Sequence, residues 1–486
     1  FTEQVVTDFL HYQLTTYPLA DVDLYAQLKA LLHLEQTRTT PLRQGPFVSL
    51  SRPFKQGALA ADLVQEMVFH PKMPSLVSHP SLRKHQELAI RAVKRGETTL
   101  VATGTGSGKT EAFLYPIISR CLELQDAGAP PGVVAVLIYP MNALAEDQLD
   151  RLRGLLAGRG IPFGMYVGKT PNLESQVRGE RLPAGSSNQD YAERKKQMRQ
   201  AGLASSLLPA DERASRESMR KPDGQPRILL TNVKQLELLL TRGKDVGIFA
   251  NAPLEFLVFD EAHTFRGAQG AETAVLIRRL RTFCGRSAKD VTCIATSATM
   301  ADPDGGDAAA AAFARRFFGV DAAKVTLVGE QYEDWAWPAA GFLPTEPWRD
   351  PAQVLADLLA DVERPDAEVG AALSQRLTEL GGRPLPLGAW QDHLAVELRH
   401  NRVVRTMAEF LEKPKPLDVL AAHLTEAVGR GVTPHEVLCW LALGAACGRD
   451  GHDPFLRPVV HTFIRGVGGA VVTFSDDQGK ARLWLA

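Results

Sequence analysis

The chain has 486 residues, 45% hydrophobic and 23% charged, which is enough apolar content to bury more than one core without disulfide or metal staples. Lys plus Arg total 55 against 56 Asp plus Glu, a net charge of −1, which excludes a uniformly basic nucleic-acid coat protein but not a local basic groove. The five cysteines, Cys121, Cys284, Cys293, Cys439 and Cys447, make no CxxC pair and no Cys/His set with zinc spacing, so they read as reduced thiols of a cytoplasmic protein. No apolar run is long enough for a membrane span, and no basic-then-apolar leader opens the chain. It begins on Phe1 and stops in the strand-like run ARLWLA, so both ends read as cuts inside a larger protein.

Residues 1–80 read as an N-terminal extension of short helices and irregular segments, with apolar positions at helical spacing from Val22 to Leu32. From 81 to 330 the pattern changes to short β-rich runs alternating with longer helical ones. Strands are predicted at 99–103, 133–139, 162–167, 227–231, 256–260, 291–296 and 324–328, and helices at 109–124, 142–157, 233–241, 271–284 and 307–318. Runs such as VVAVLIY and FLVFD are apolar at nearly every position, as strands buried on both faces are. The expected fold is therefore α/β, a RecA-like parallel sheet with helices on both faces. Residues 172–226 interrupt the rhythm as a charged insert, far longer than an ordinary connection. The insert reads either as partly disordered or as a helical excursion. Its Arg194, Lys195, Lys196 and Arg199 fit a solvated face or a nucleic-acid contact. Residues 331–454 read as a linker carrying Trp335, Trp337 and Trp348, followed by a helical region, and 455–486 as the start of a β-rich segment.

Three motifs carry chemistry. TGTGSGKT at 103–110 follows an apolar strand and opens a helix, the context of a phosphate-binding loop, with Thr103 at the place where the strict pattern has Gly. There the backbone of Thr105, Gly106, Ser107 and Gly108 would curl its N–H groups toward the phosphates of ATP. Lys109 would neutralise the β- and γ-phosphates, and the Thr110 hydroxyl would ligate Mg²⁺. DEAH at 260–263 closes the strand predicted at 256–260, where Asp260 would hold Mg²⁺ and Glu261 would polarise the attacking water. SAT at 297–299 follows a further strand, where the Ser297 and Thr299 hydroxyls, with His263, would couple nucleotide state to movement.

In this order the motifs resemble those of superfamily 2 helicases over residues 82–300. LRKHQ places Gln86 as in the family's adenine-sensing Q motif. YPMNALAEDQ, with Pro140, Asn142 and Gln148, is similar to motif Ia, and ILLTN, with Thr231 and Asn232, to motif Ib; both contact the nucleic-acid backbone in that family. The DEAHTFRG run, including Arg266, and LIRRLR resemble the MrfA and Lhr-like DNA helicases and the large helicases of the phage-defence systems Druantia and DISARM. The segments placed after strands lie where open α/β sheets bind ligands. Asn142 stands where a cation would suit a phosphate better, and Arg266 suits either a phosphate or an acid partner.

The resemblance implies a P-loop ATPase acting on DNA or RNA, DNA favoured, with ATP and Mg²⁺ as cofactors and no membrane partner. It also implies a second RecA-like lobe supplying transition-state arginines, yet 329–486 has no QxxGRxxR-like run; Gly429-Arg430 and Gly448-Arg449 lack the flanking pattern. The chain therefore reads as the first motor lobe of a larger protein, and the alternative is an ATP-gated binding or assembly subunit with little hydrolysis.

Overall fold

In the structure, a computed structural model, the β-rich runs between residues 98 and 329 become one eight-stranded sheet, parallel throughout. The described residues are 2–16, 19–32, 43–104, 106–203, 206–250, 252–297, 306–333, 337–338, 341–342, 366–379, 383–386, 388–448, 454–464, 470–474 and 481–485. The strands are β1 (Thr98–Ala102), β2 (Ala135–Ile138), β3 (Phe163–Tyr166), β4 (Glu212–Arg213), β5 (Ile228–Thr231), β6 (Phe256–Phe259), β7 (Thr292–Ser297) and β8 (Val325–Gly329). Their spatial order is β8-β1-β7-β6-β2-β5-β3-β4.

The period-2 alternation of a strand explains why both faces are dry. In β2, Ala135 and Leu137 enter one core cluster while Val136 and Ile138 enter the other; in β6, Phe256 and Val258 face one way and Leu257 and Phe259 the other. The first face is covered by α1 (Lys84–Lys94), α2 (Lys109–Asp126) and α3 (Asn142–Leu156), which contribute Ile90, Phe113, Ile117, Leu149 and Leu152. The second is covered by α4 (Val233–Thr241), α5 (Gly267–Phe283) and α6 (Gly306–Phe317), which contribute Leu236, Leu276, Ile277 and Phe317.

The lobe extends further toward the N-terminus than the sequence reading placed it. The compact unit is Phe54–Tyr332, because Leu63, Phe69, Met73 and Leu76 pack into the first core cluster with Leu82 and Ile90. The insert is folded. Its helix Asn188–Gln200 is capped by Ser187, Tyr191 and Met198 form a satellite core with Leu182 and Leu207, and β4 adds to the sheet beside β3. Glu212 at that edge is buried and takes a bidentate pair from Arg153 of α3 at 2.7 and 2.8 Å. Of the basic cluster in the insert, Arg194 pairs with Glu180 and Lys195 with Asp150, while Lys196 and Arg199 are exposed.

The second unit joins Phe1–Pro53 to Glu333–Ala486. Helices Asp366–Glu379, Trp390–His400, Arg402–Phe410, Leu417–Val428 and Pro434–Ala446 surround a core holding Trp390, Met407, Leu424 and Trp440. Strand Arg43–Ser51 lies between Lys415–Pro416 and Arg457–Ile464, and sends Val48 and Leu50 into that core. Trp337 packs against Phe455, ring centroids 5.9 Å apart; Trp335 and Trp348 lie outside the described residues. Arg430 forks onto buried Glu436 at 2.6 and 3.0 Å, a structural pair. Burial pushes the thiols of Cys121, Cys284, Cys293 and Cys447 up to about 12, so they behave as small apolar groups. No helix among the described residues is long and apolar enough to cross a membrane.

Phe259 is fully buried, with Phe265, Phe317 and Phe318 centroids at 5.3, 5.0 and 5.8 Å. Phe259→Ala is expected to destabilise the lobe by about 3–5 kcal/mol, read as a lower denaturant midpoint at unchanged slope.

Candidate active site

Every strand of the parallel sheet ends at the same edge, and the motif residues collect there. The loop after β1 turns into α2 through Gly106 (φ 76°) and Gly108 (φ 79°), left-handed positions that a Cβ would strain. At Gly108 a Cβ would also lie 2.3 Å from Gln86 Nε2. The loop is tied from outside and inside. Thr103 Oγ1 and Ser107 Oγ are 2.7 Å apart, the Thr103 N–H donates to the Ser297 carbonyl at 3.2 Å, and Arg83 Nη1 donates to the Gly106 carbonyl at 2.9 Å. His85 Nε2 lies 2.8 Å from the Ser107 carbonyl, which requires the proton on Nε2. Burial holds His85 below the ordinary imidazole range, so it is neutral, and its Nδ1 is buried without a partner.

Gln86 is buried and spans the start of α1 and the loop: Oε1 accepts the Arg83 N–H at 2.9 Å and Nε2 donates to the Gly108 carbonyl at 3.0 Å. One donor and one lone pair of its carboxamide remain for another partner. Arg83 also lies 4.6 Å above Phe54, which stacks on Tyr332 at 5.3 Å and 18°. From the strand end after β8, Glu330 Oε1 accepts the Gly104 N–H at 2.6 Å and its Oε2 accepts the Tyr332 hydroxyl. Thr105 lies outside the described residues; Thr110, in the first turn of α2, is half-buried.

Two strands away, Asp260 and Glu261 follow β6. Glu261 sits at φ 49°, ψ 48°, a left-handed conformation that costs a non-glycine residue about 1–2 kcal/mol. Thr296 of β7 holds this turn: its Oγ1 accepts the Glu261 N–H at 3.2 Å and donates to Asp260 Oδ1. Glu261 Oε1 is 3.4 Å from Lys109 Nζ, and its other oxygen is 3.3 Å from His263 Nδ1, itself 3.3 Å from Ser297 Oγ. Burial, reinforced by the neighbouring Glu261 charge, raises the Asp260 pKa above the ordinary 3.8, against the pull of the Thr296 hydrogen bond and Lys109. The structure thus brings Lys109, Asp260, Glu261, His263 and Ser297 together; Thr299 lies outside the described residues. Thr296, Arg83, His85 and Glu330 belong to the same cluster and were not singled out from the sequence. Arg83 and His85 lay in the LRKHQ run beside Gln86, whereas nothing local marks Thr296 or Glu330.

On the adjacent strand ends, Asn142 opens α3 and Asn232 caps α4, so two helix N-termini lie side by side. Asn232 Oδ1 accepts the Gln235 N–H at 2.9 Å while its Nδ2 donates to Asn142 Oδ1 at 2.8 Å. Pro140 and Gln148 are half-buried, and Gln148 Oε1 has no hydrogen-bond partner. Thr231 departs from expectation: it is fully buried and its hydroxyl donates to the Tyr166 carbonyl at 2.7 Å, so only its backbone belongs to the edge. Arg266 is exposed and makes no ion pair among the described residues.

A glycine-bent loop opening a helix, with an acid pair two strands away at the same sheet edge, defines a P-loop nucleotide hydrolase domain. Residues 83–180 and 185–304 match the DEAD/DEAH box helicase family, and the lobe is a DEAD/DEAH box helicase domain. Over 60% of its length the chain is 30% identical to the Druantia protein DruE of Escherichia coli, of which it covers 20%. It is 29% identical to the uncharacterized ATP-dependent helicase YprA of Bacillus subtilis over 46% of the chain and 23% of YprA. It is 28% identical to the ATP-dependent helicase Lhr-Core of Methanothermobacter thermautotrophicus over 44% of the chain and 21% of that protein. The chain therefore spans only about a fifth of these relatives. The crystal structure of the DUF1998 helicase MrfA bound to DNA aligns with 79% of the chain and 41% of its own, at 20% identity and a TM-score of 0.38.

The raised Asp260 pKa has a consequence for stability. Above the ordinary carboxylate value the folded wild type carries the cost of a buried charge, and below it the cost disappears. Asp260→Asn is expected to raise the melting temperature of the nucleotide-free chain at neutral pH, with the gain shrinking as pH falls toward 3.8. Thermal unfolding of both chains across that range checks it.

Proposed function

We propose that this chain contains the first motor lobe of an ATP-dependent nucleic-acid helicase or translocase, acting on DNA in preference to RNA. The second RecA-like lobe would lie elsewhere in the parent sequence or in a partner. The observation that carries the reading is one sheet edge holding both the Lys109–Glu261–Asp260 cluster and the paired helix N-termini at Asn142 and Asn232. The first set suits a nucleoside triphosphate and the second suits a phosphodiester backbone, read without regard to sequence. Kinship to DruE and Lhr-Core favours DNA and a setting in phage defence or DNA repair. Five cysteines outside any disulfide, four of them buried, fit a cytoplasmic protein.

In this reading the loop N–H groups bind the phosphates, with Lys109 neutralising the β- and γ-phosphates. Gln86 uses its remaining donor and acceptor on the adenine edge. The Thr110 hydroxyl and the Asp260 carboxylate are hard oxygen donors that fit Mg²⁺, and a buried carboxylate of raised pKa gains from a cation beside it. Mg²⁺, when bound, supplies charge neutralisation at the transferring phosphoryl group. Glu261 orients the water whose oxygen forms the new bond to the γ-phosphorus as the bond to the β–γ bridging oxygen breaks. Thr296 positions both acids. Ser297, with His263, ties this turn to the loop, since Ser297 touches His263 by its side chain and Thr103 by its carbonyl, and Thr299 would share the coupling role. Asn142, Asn232, the backbone at Pro140 and Thr231, Gln148 and Arg266 line the strand.

The test is ATP turnover, with and without single-stranded DNA or RNA, by this chain and by the full parent protein, each beside Glu261→Gln. Expected are nucleic-acid-stimulated turnover by the parent, at least about 100-fold lower in the variant, and little turnover by the chain alone. A parent protein that hydrolyses no ATP with either nucleic acid overturns the motor reading in favour of an ATP-gated binding subunit. Lys109→Ala is expected to abolish binding of a fluorescent ATP analogue while Glu261→Gln retains it.

A further inference from the structure

The helical unit carries a second cluster of cations far along the sequence from the motor motifs. Helices Trp390–His400 and Arg402–Phe410 meet at Asn401, and around that corner is a cavity of about 240 Å³. Its polar lining is Arg399, His400, Asn401, Arg402, Arg405 and Thr406, with no acidic residue in the lining among the described residues. Arg405 pairs with Glu409 at 2.9 Å and Arg399 lies 5.7 Å over the Phe455 ring, while Arg402 is exposed with no ion pair among the described residues.

Asn401 marks this corner as more than a surface charge cluster. It is fully buried, and its Oδ1 caps the second helix by accepting the Val403 and Val404 N–H groups at 2.8 and 3.3 Å. Its Nδ2, also buried, has no acceptor. A buried amide donor left unpaired costs about 1–3 kcal/mol, and such groups are rare in folded proteins. The other helix-end donors are spent: the Arg402 N–H goes to the Phe342 carbonyl at 3.0 Å and the Arg405 N–H to the Asn401 carbonyl at 3.0 Å. What remains at the corner is one buried N–H donor, guanidinium groups and the positive end of a nine-residue helix, all suited to an anion. The volume is below the about 300–1,000 Å³ of small-molecule sites, so it admits a phosphate group and not a whole nucleotide.

We infer that the Asn401 corner is a phosphate site for the nucleic-acid backbone, a strand contact on the helical unit additional to the helicase domain's own edge. It rests on the motor reading above for the identity of the strand. The phosphate accepts from Asn401 Nδ2 and is neutralised by Arg402 and Arg399.

Asn401→Asp tests this with little change of shape. Aspartate caps a helix as well as asparagine does, so the cap to Val403 and Val404 is kept, but the free donor becomes a carboxylate facing the anion. Binding of a fluorescein-labelled oligothymidylate to the full chain would be titrated by anisotropy across a salt series. Asn401→Asp is expected to weaken binding roughly tenfold or more by like-charge repulsion. Arg402→Gln should weaken it less and reduce the slope of log K against log salt by about 0.7, one phosphate contact on a single strand. Binding of the fluorescent ATP analogue should not change in either variant, nor the melting temperature of Arg402→Gln, an exposed side chain. If either variant melts far below wild type, the other decides. Wild-type affinity and slope in the folded variants overturn this site and leave the motor reading standing. A wild-type chain that binds neither DNA nor RNA overturns both.

Discussion

A parallel strand buried on both faces has no room for a charge along its length. In β2, β5 and β6 every residue is buried, and alternate side chains supply opposite cores. Polar groups are confined to the strand ends, and in a sheet parallel throughout, all the C-terminal ends lie on one edge. The phosphate loop, the acid pair, the Ser297 hydroxyl and the two asparagines share that edge because the hydrophobic demand of the strands leaves them no other place. The ion pairs elsewhere in the lobe, such as Arg153 with Glu212, fasten helices and the insert to this frame.

Within the edge, Thr296 is the joint. One hydroxyl accepts from the Glu261 backbone and donates to the Asp260 side chain, so it fixes a left-handed residue and a buried carboxylate together. Strained backbone beside a carboxylate of raised pKa stores energy that a flexible loop would release by rearranging. Here the turn is held by β7, which in turn is held by β1 and β6 on either side. Stiffness at the acid pair is thus inherited from sheet register.

The motifs were legible in the sequence because their chemistry is local. GKT needs a glycine two residues before its threonine, and DEAH needs only a strand end. The seven long strands of the lobe were legible because VVAVLIY and FLVFD leave no polar face. What could not be read is set by contacts distant in sequence. Leu63, Phe69 and Met73 look like any amphipathic segment until they meet Ile90 and Phe113 in the core, which is why the lobe begins at Phe54 and not at residue 81. Strand Arg43–Ser51 pairs with residues more than 360 positions away, so nothing near it in the chain announces a strand. Thr231 sits in a motif that suggests an open hydroxyl, yet tertiary packing gives that hydroxyl to Tyr166.

Lys109 connects the frame to the chemistry. Its ammonium lies 3.4 Å from Glu261, in a pocket where the lysine is only 10% exposed, and each charge offsets the desolvation of the other. In that arrangement one Glu261 oxygen is occupied by the ammonium and the other faces His263. A polyphosphate carries more negative charge than one carboxylate and presents it to the loop N–H groups as well, so it competes for Lys109 on favourable terms. Drawing the lysine away would leave the Glu261 carboxylate with His263 alone and one oxygen open to another partner. In the proposed reading the same salt bridge would be exchanged on nucleotide binding, with Thr296 holding the backbone of the turn in place while the Glu261 side chain changes partner.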